Sequence, residues 1–294
     1  MSISTMTAAY PPNAAAAQNC DAQPLGSVVV ATLNNIPIVT LSADGHPVTL
    51  VLDTGADRTV LTPAIAERIG APPPRIEFRQ RMRGITGVVP GREVELQSFT
   101  AGGIALSWHR VLVAPITTPN MLSAPLDGIL GADVLTGFDI DLDLPHQRMT
   151  LYPRGSCPLG PPWPGAFAQI STGLSLGEHL FFPVQLDGHK VSAVIDTGTQ
   201  LTTLSKAMAK ALGVTDEELT RDHPITAHGA TPGELPSHVH QFSQLNVGSE
   251  KIPNPRLVVS DIAIPDADML LGIDFIRSHR LWFSFASFQI FLAK

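Results

Sequence analysis

Apolar, often β-branched residues run in bursts of five to eight between Gly, Pro and Asp turns along most of the chain. That pattern predicts short strands rather than long helices. Val28–Leu33 and Ile36–Leu41 read as the first two strands, and Ala43-Asp44-Gly45-His46 as a hairpin turn. Asp-Gly supplies the positive φ that a tight hairpin needs. Val48–Leu52 is the returning strand and runs directly into Asp53-Thr54-Gly55. Thr62-Pro63 opens a short helix over Pro63–Ile69, which Gly70 ends. Ile76–Arg83 and Val88–Phe99 read as strands around Gly84-Ile85-Thr86-Gly87, and Ile104–Ala114 as a further strand pair. Asp127–Leu135 is an apolar strand turning at Gly131 into a short helix, and Ile140–Tyr152 is a closing hairpin.

Pro153–Gly165 contains five prolines and reads as a connector between two units. After it the pattern starts again. Phe181–Leu186, the Asp187-Gly188-His189 turn and Val191–Ile195 lead into Asp196-Thr197-Gly198. Ser205–Leu212 is a helix ended by Gly213, and Leu281–Leu292 is a closing strand pair. The two turns and the two Asp-Thr-Gly segments are each separated by 143 residues, Gly87–Gly91 and Gly229–Gly233 by 142, and Asp127–Leu135 and Asp268–Ile276 by 141. Four landmarks in one order point to an internal duplication, with a period far too long for a solenoid. The expected organisation is a disordered N-terminal segment over residues 1–26, a first lobe over 27–155 and a second over 156–294, all-β with short helices and related by a pseudo-twofold.

At 294 residues and 44% hydrophobic, the chain is long enough for two cores. Its formal charge of −7 argues against a nucleic-acid binder, which would need a basic stripe. No apolar run of about 18 residues exists to span a membrane. Residues 1–19, rich in Ala, Ser and Thr, read as disordered and show no secretory-signal pattern. Cys20 and Cys157 are the only cysteines, each a few tens of residues upstream of one Asp-Thr-Gly segment. Pseudo-symmetry can bring them together as a disulfide; the other reading is two unrelated buried thiols.

A carboxylate at the end of a buried strand is costly unless something uses it. One Asp-Thr-Gly segment is an ordinary turn signal. Two, each after an apolar strand and each followed about 75 residues later by an apolar-Gly-x-Asp-apolar segment, point to paired acids sharing one proton. The ionised member can take a proton from water and the neutral one can donate to a carbonyl oxygen, with no metal, cofactor or covalent nucleophile. Gly55 and Gly198 allow close approach, and the Thr54 and Thr197 hydroxyls can bridge between the two loops. Ala56 has no hydroxyl to offer Asp53, whereas Thr199 can bond Asp196 and favour its ionised form, which makes Asp196 the expected base and Asp53 the expected acid.

These repeats resemble the retropepsin-like aspartic proteases, particularly bacterial members. Asp53-Thr54-Gly55-Ala56-Asp57 is close to the retroviral form, and Asp196-Thr197-Gly198-Thr199-Gln200 is nearer the eukaryotic and bacterial forms. Ile129-Leu130-Gly131 and Leu270-Leu271-Gly272 match the family's second motif. The resemblance covers about residues 30–294. It implies two retropepsin-like β-barrel lobes in one chain, active as a monomer. It also implies a polypeptide substrate held as an extended strand, with Ala56, Asp57, Thr199 and Gln200 beside it. Flaps are then expected at Gly84-Ile85-Thr86-Gly87 and His228-Gly229-Ala230, although neither carries the Tyr of pepsin-like flaps; two ordinary hairpin tips is the other reading. A periplasmic or secreted setting fits the resemblance. The alternative function is a peptide-binding module of this fold without turnover. His223, His228, His238 and His240 lack supporting ligand spacing and read as loop and strand histidines, and Trp108, Trp163 and Trp282 as core or interface residues.

Overall fold

The computed structural model describes residues 20–72, 80–106, 110–117, 126–174, 179–264 and 266–293. Residues 1–19, the start of the strand expected from Ile76, residues 107–109 of the Ile104 pair, and with them Trp108, lie outside the described residues.

The first half runs through β1 (Gly26–Leu33), β2 (Ile36–Ala43), β3 (His46–Leu52), β4 (Val60–Leu61), α1 (Pro63–Arg68), β5 (Gln80–Gly84), β6 (Gly87–Glu95), β7 (Phe99–Ala101), β8 (Ile104–Ala105) and β9 (Arg110–Val113). It closes with β10 (Gly128–Leu130), α2 (Ala132–Leu135), β11 (Phe138–Asp143) and β12 (Arg148–Pro153). The second half runs through β13 (Ala168–Ser171), β14 (Gly173–Leu174), β15 (Leu180–Leu186), β16 (His189–Ile195), β17 (Thr203–Ser205), α3 (Lys206–Ala211) and α4 (Asp216–Arg221). It continues with β18 (His223–Ala227), β19 (Leu235–Gln241), β20 (Gln244–Val247), β21 (Glu250–Pro253), β22 (Arg256–Ser260), β23 (Met269–Leu271), α5 (Ile273–Ile276), β24 (Arg280–Ser284) and β25 (Gln289–Ala293).

The two halves repeat one topology. In the first, strands lie in the order β2-β3-β10-β4-β9-β6-β5; in the second, β15-β16-β23-β17-β22-β19-β18. In each, the strand delivering Asp-Thr-Gly pairs in parallel with the strand of the second motif, Leu52 beside Leu130 and Ile195 beside Leu271. Leu50, Leu52, Leu130, Ile195 and Leu271 on these paired strands are all core. The β2–β3 and β15–β16 hairpins turn as expected, with Asp44 and Gly45 at φ 50° and 80° and Asp187 and Gly188 at 51° and 83°.

Helix boundaries follow their caps. Thr62 accepts from the Ile65 N–H at 3.4 Å, and Ser205 from the Met208 N–H at 3.1 Å. Several features depart from the sequence reading, among them the five strands β18–β22, for which it named no ranges. The single strand expected over Val88–Phe99 is two, because Asp44 takes the Ser98 N–H at 2.7 Å and turns the chain there. Helix α4 was not anticipated, although Thr215 and Glu218 form a reciprocal capping box.

The halves are joined by a shared sheet in the order β1-β12-β11-β24-β25-β13. Its centre is the antiparallel pair β11–β24, with Asp139 opposite Ser284 and Asp143 opposite Arg280. Asp139, Asp141 and Asp143 share one face of β11 and all are buried. Arg280 reaches back across the register to grip Asp141 through Nε at 2.8 Å and Nη2 at 2.6 Å, and lies 4.7 Å over the Trp163 ring. Cys20 and Cys157 are bonded, with their Cα atoms 5.4 Å apart, beside Trp163, Trp282 and Tyr152. The disulfide therefore ties the lead of the first half to the connector, against the aromatic face of the shared sheet.

Removing one member of a buried ion pair strands the other. Arg280→Met is expected to lower stability in urea unfolding by about 3 kcal/mol, and Arg280→Met with Asp141→Leu to recover much of that loss. A single variant as stable as the parent would show that the pair does not join the halves.

Candidate active site

Each Asp-Thr-Gly loop is anchored from behind before it meets the other. Leu130 O accepts the Asp53 N–H and Leu271 O the Asp196 N–H, both at 3.1 Å. Thr59 gives its N–H and hydroxyl to Asp133 Oδ1 at 2.8 and 2.7 Å, and its hydroxyl accepts the Gly131 N–H at 3.1 Å. Thr202, Asp274 and Gly272 repeat this, with the hydroxyl bond at 2.7 Å and the Gly272 bond at 3.1 Å. The loop end thus becomes rigid through side chains rather than the β ladder alone. The Gly-x-Asp spacing was visible in sequence; its Thr partner, six residues after each Asp of the pair, was not recognised.

The loops then cross between the lobes. The Thr54 hydroxyl donates to Ile195 O at 2.7 Å and accepts the Thr197 N–H at 3.1 Å. The Thr197 hydroxyl donates to Leu52 O at 2.5 Å and accepts the Thr54 N–H at 3.0 Å. Thr197 is fully buried, so losing any one of these bonds leaves an unsatisfied polar group. Gly55 and Gly198 are required by proximity. A Cβ on Gly55 would stand 2.5 Å from Asp196 Cγ, and one on Gly198 would stand 2.5 Å from Asp53 Cγ. Each carboxyl therefore packs on the backbone of the opposite loop.

Asp53 and Asp196 thus face each other across the lobes, each carboxyl against the other's loop. Burial, and then the charge of Asp196 beside it, push the Asp53 carboxyl well above the ordinary carboxylate range, against the pull of the Gly55 and Ala56 N–H groups. Asp196 has more donors. It accepts the Gly198 N–H at 2.8 Å, the Thr199 N–H at 3.1 Å and the Thr199 hydroxyl at 2.7 Å. Ala56 leaves Asp53 without the matching hydroxyl.

The remaining residues singled out in sequence divide into three places. Asp57 and Gln200, at matching positions, each hold a contact across the lobes: Asp57 Oδ1 lies 2.8 Å from His179 Nε2, and Gln200 donates to Asn34 O at 3.0 Å. Gly84-Ile85-Thr86-Gly87 is the β5–β6 tip and His228-Gly229-Ala230 the start of the β18–β19 loop. These two tips meet. The Thr86 hydroxyl bonds Thr231 O and lies 2.9 Å from Thr231 Oγ1, and Thr117 donates to Ala230 O at 2.9 Å. Thr231 was not singled out in sequence, although its place beside Gly229-Ala230 in the duplicated segment marks the tip. Elsewhere, His240 Nδ1 lies 2.7 Å from Asp222 Oδ2, and Trp163 and Trp282 pack in the aromatic cluster under the shared sheet.

Two Asp-Thr-Gly loops joined across two like lobes are the architecture of an aspartyl protease. An aspartyl protease family model matches residues 39–134, and a model for the aspartyl protease of gag polyproteins matches residues 182–278. The chain belongs to the retropepsin-like family, with one such domain in each half. It is 35% identical over 101 residues to the UBA domain-containing protein Mud1 of Schizosaccharomyces pombe, covering 34% of this chain and 29% of that one. It is 30% identical over 121 residues to DNA damage-inducible protein 1 of Candida glabrata, covering 40% and 24%. With Protein DNA-DAMAGE INDUCIBLE 1 of Arabidopsis thaliana it shares 24% identity over 118 residues, covering 40% and 27%. The chain thus spans under a third of the length of these relatives, which are eukaryotic and lend no support to a bacterial placement.

Asp53 holds its proton more tightly folded than unfolded. Its contribution to stability is therefore fully present below the unfolded carboxylate range and is lost as pH rises through its raised folded value. Asp53→Asn removes that penalty. The variant is expected to melt above wild type at about pH 7, with the gap closing towards about pH 3. Parallel melting curves across that range would contradict the raised pKa.

Proposed function

We propose that the chain is an aspartic endopeptidase that hydrolyses peptide bonds in an extended polypeptide held between the lobes. The observation that carries this reading is the placement of the Asp53 and Asp196 carboxyls, one from each lobe, each against the glycine of the opposite loop. Asp196, charge-stabilised by Gly198 and Thr199, acts as the general base on a water molecule. Neutral Asp53 donates to the scissile carbonyl oxygen. Water oxygen bonds the carbonyl carbon, its proton passes to Asp196, and a tetrahedral diol forms. The proton on Asp196 then moves to the amide nitrogen, the C–N bond breaks while one diol hydroxyl returns its proton to Asp53, and a carboxylic acid and an amine leave with the dyad again holding one proton.

The tips at Gly84–Gly87 and His228–Gly233 close over this site as flaps, and their contact through Thr86 and Thr231 has to part to admit a chain. An extended substrate then gains main-chain hydrogen bonds from strand-like neighbours. Both lobes lie in one chain, divided near residue 155, so the active unit in this reading is a monomeric pseudo-dimer.

The test is cleavage of a diverse peptide pool from about pH 3 to 8, a range spanning the carboxylate values. Wild type is expected to cut, with Asp53→Asn and Asp196→Asn each slower by about a thousandfold, the scale of lost acid–base catalysis. Thr199→Ala is expected to move the acidic limb of the rate profile up by about one pH unit, the equivalent of one hydrogen bond. Folded wild type that binds peptides and cuts none would contradict the reading.

A further inference from the structure

His179 stands directly before β15 in the second lobe, yet its ring faces the Asp-Thr-Gly loop of the first. Nδ1 lies 3.2 Å from Thr54 O, and Nε2 lies 2.8 Å from Asp57 Oδ1. A carbonyl oxygen and an ionised carboxylate only accept hydrogen bonds. A neutral imidazole has one N–H and one lone pair, so either tautomer sets a lone pair against one of these oxygens. Only the imidazolium donates to both.

We propose that His179 is a positioning residue for the first Asp-Thr-Gly loop, that it works as the imidazolium, and that it thereby makes the loop's placement depend on protonation. The proposal deepens the protease reading and rests on it for its kinetic consequences. Thr54 is the residue through which the loop crosses between lobes, and the next residue, Gly55, donates to Asp53 Oδ1 at 2.9 Å. A ring held on the Thr54 carbonyl therefore fixes the peptide plane between the lobe contact and the acid. When the ring loses a proton, one of its two bonds becomes a repulsion.

The surroundings match this role. The His179 side chain is 13% exposed and that of Asp57 is 71% exposed, so a sheltered cation is paired with a solvated carboxylate. The other ring neighbour is Phe181, at 6.4 Å between centroids. Arg58, next along the loop, is engaged by Glu93 at 2.9 Å and Asp133 at 3.4 Å. Among the described residues, Asp57 is thus the charged group that the ring meets. The opposite lobe fills the same place with Gln200 donating to Asn34 O, a contact with no titrating group. The latch is therefore one-sided: one Asp-Thr-Gly loop is held through a proton and the other is not.

The experiment has two arms on the full chain. In the first, nitrogen NMR of histidine-labelled protein at about pH 6, close to the ordinary histidine range, reads the ring directly. Both ring nitrogens of His179 are expected to be protonated in wild type, and one to lose its proton in Asp57→Asn. A neutral ring in folded wild type overturns the proposal whatever the activity. In the second arm, peptide cleavage is followed against pH. His179→Gln is expected to lower kcat about tenfold with little change in KM, the scale of one charge-assisted hydrogen bond. His179→Arg keeps a cation that does not titrate and is expected to carry activity to higher pH. Full kcat in the Gln variant, with coincident alkaline limbs in the Arg variant and wild type, overturns it. If wild type cuts nothing, the protease reading fails, and the NMR arm still decides the latch.

Discussion

Two carboxyls set against each other across two lobes repel when both are charged, so the lobes must be tied together to keep them there. The four hydrogen bonds exchanged by Thr54 and Thr197 with the opposite loop supply that constraint. They are reciprocal, so neither loop can move without breaking bonds made by the other. With the loops fixed, Gly55 and Gly198 let each acid sit on the facing backbone, and burial beside the charge of Asp196 pushes the Asp53 carboxyl above the ordinary range.

Much of the remaining structure serves to keep that contact stiff. Behind each loop, a Thr–Asp–Gly bracket ties the strand end to the second motif. Farther out, β11 and β24 join the lobes edge to edge, with Arg280 and Asp141 sealing the seam. Above, the tips meet through Thr86 and Thr231. Rigidity beneath and a small contact above suit the proposed protease, which would hold its acids still and admit a chain between the tips.

The duplication was legible because it repeats turn chemistry: Asp-Gly hairpins and Asp-Thr-Gly loops mark the same places in both halves. The asymmetry between Ala56 and Thr199 was legible for the same reason, since one hydroxyl is present and its counterpart is missing. The shared sheet was not. Its β11–β24 pairing joins residues about 140 apart, and no local pattern announces which edges will meet. Helix α4 was missed although Thr215 and Glu218 carry a readable capping signature. His179 was invisible for a deeper reason. It belongs to no repeated motif, and its partners lie more than 120 positions away.

The lobes are alike in topology and unlike in chemistry. One acid has an extra hydroxyl donor, and one loop is held by an ionisable contact where the other uses an amide. In the proposed reading, a symmetric scaffold thereby gives its two carboxyls different protonation. The measurement that tests this most directly is an infrared titration of protein with carbon-labelled aspartate, wild type against Asp53→Asn. A carboxylic acid band persisting at about pH 6, above the ordinary aspartate range, and absent from the variant is the predicted result. Two fully ionised carboxylates at that pH would contradict the account.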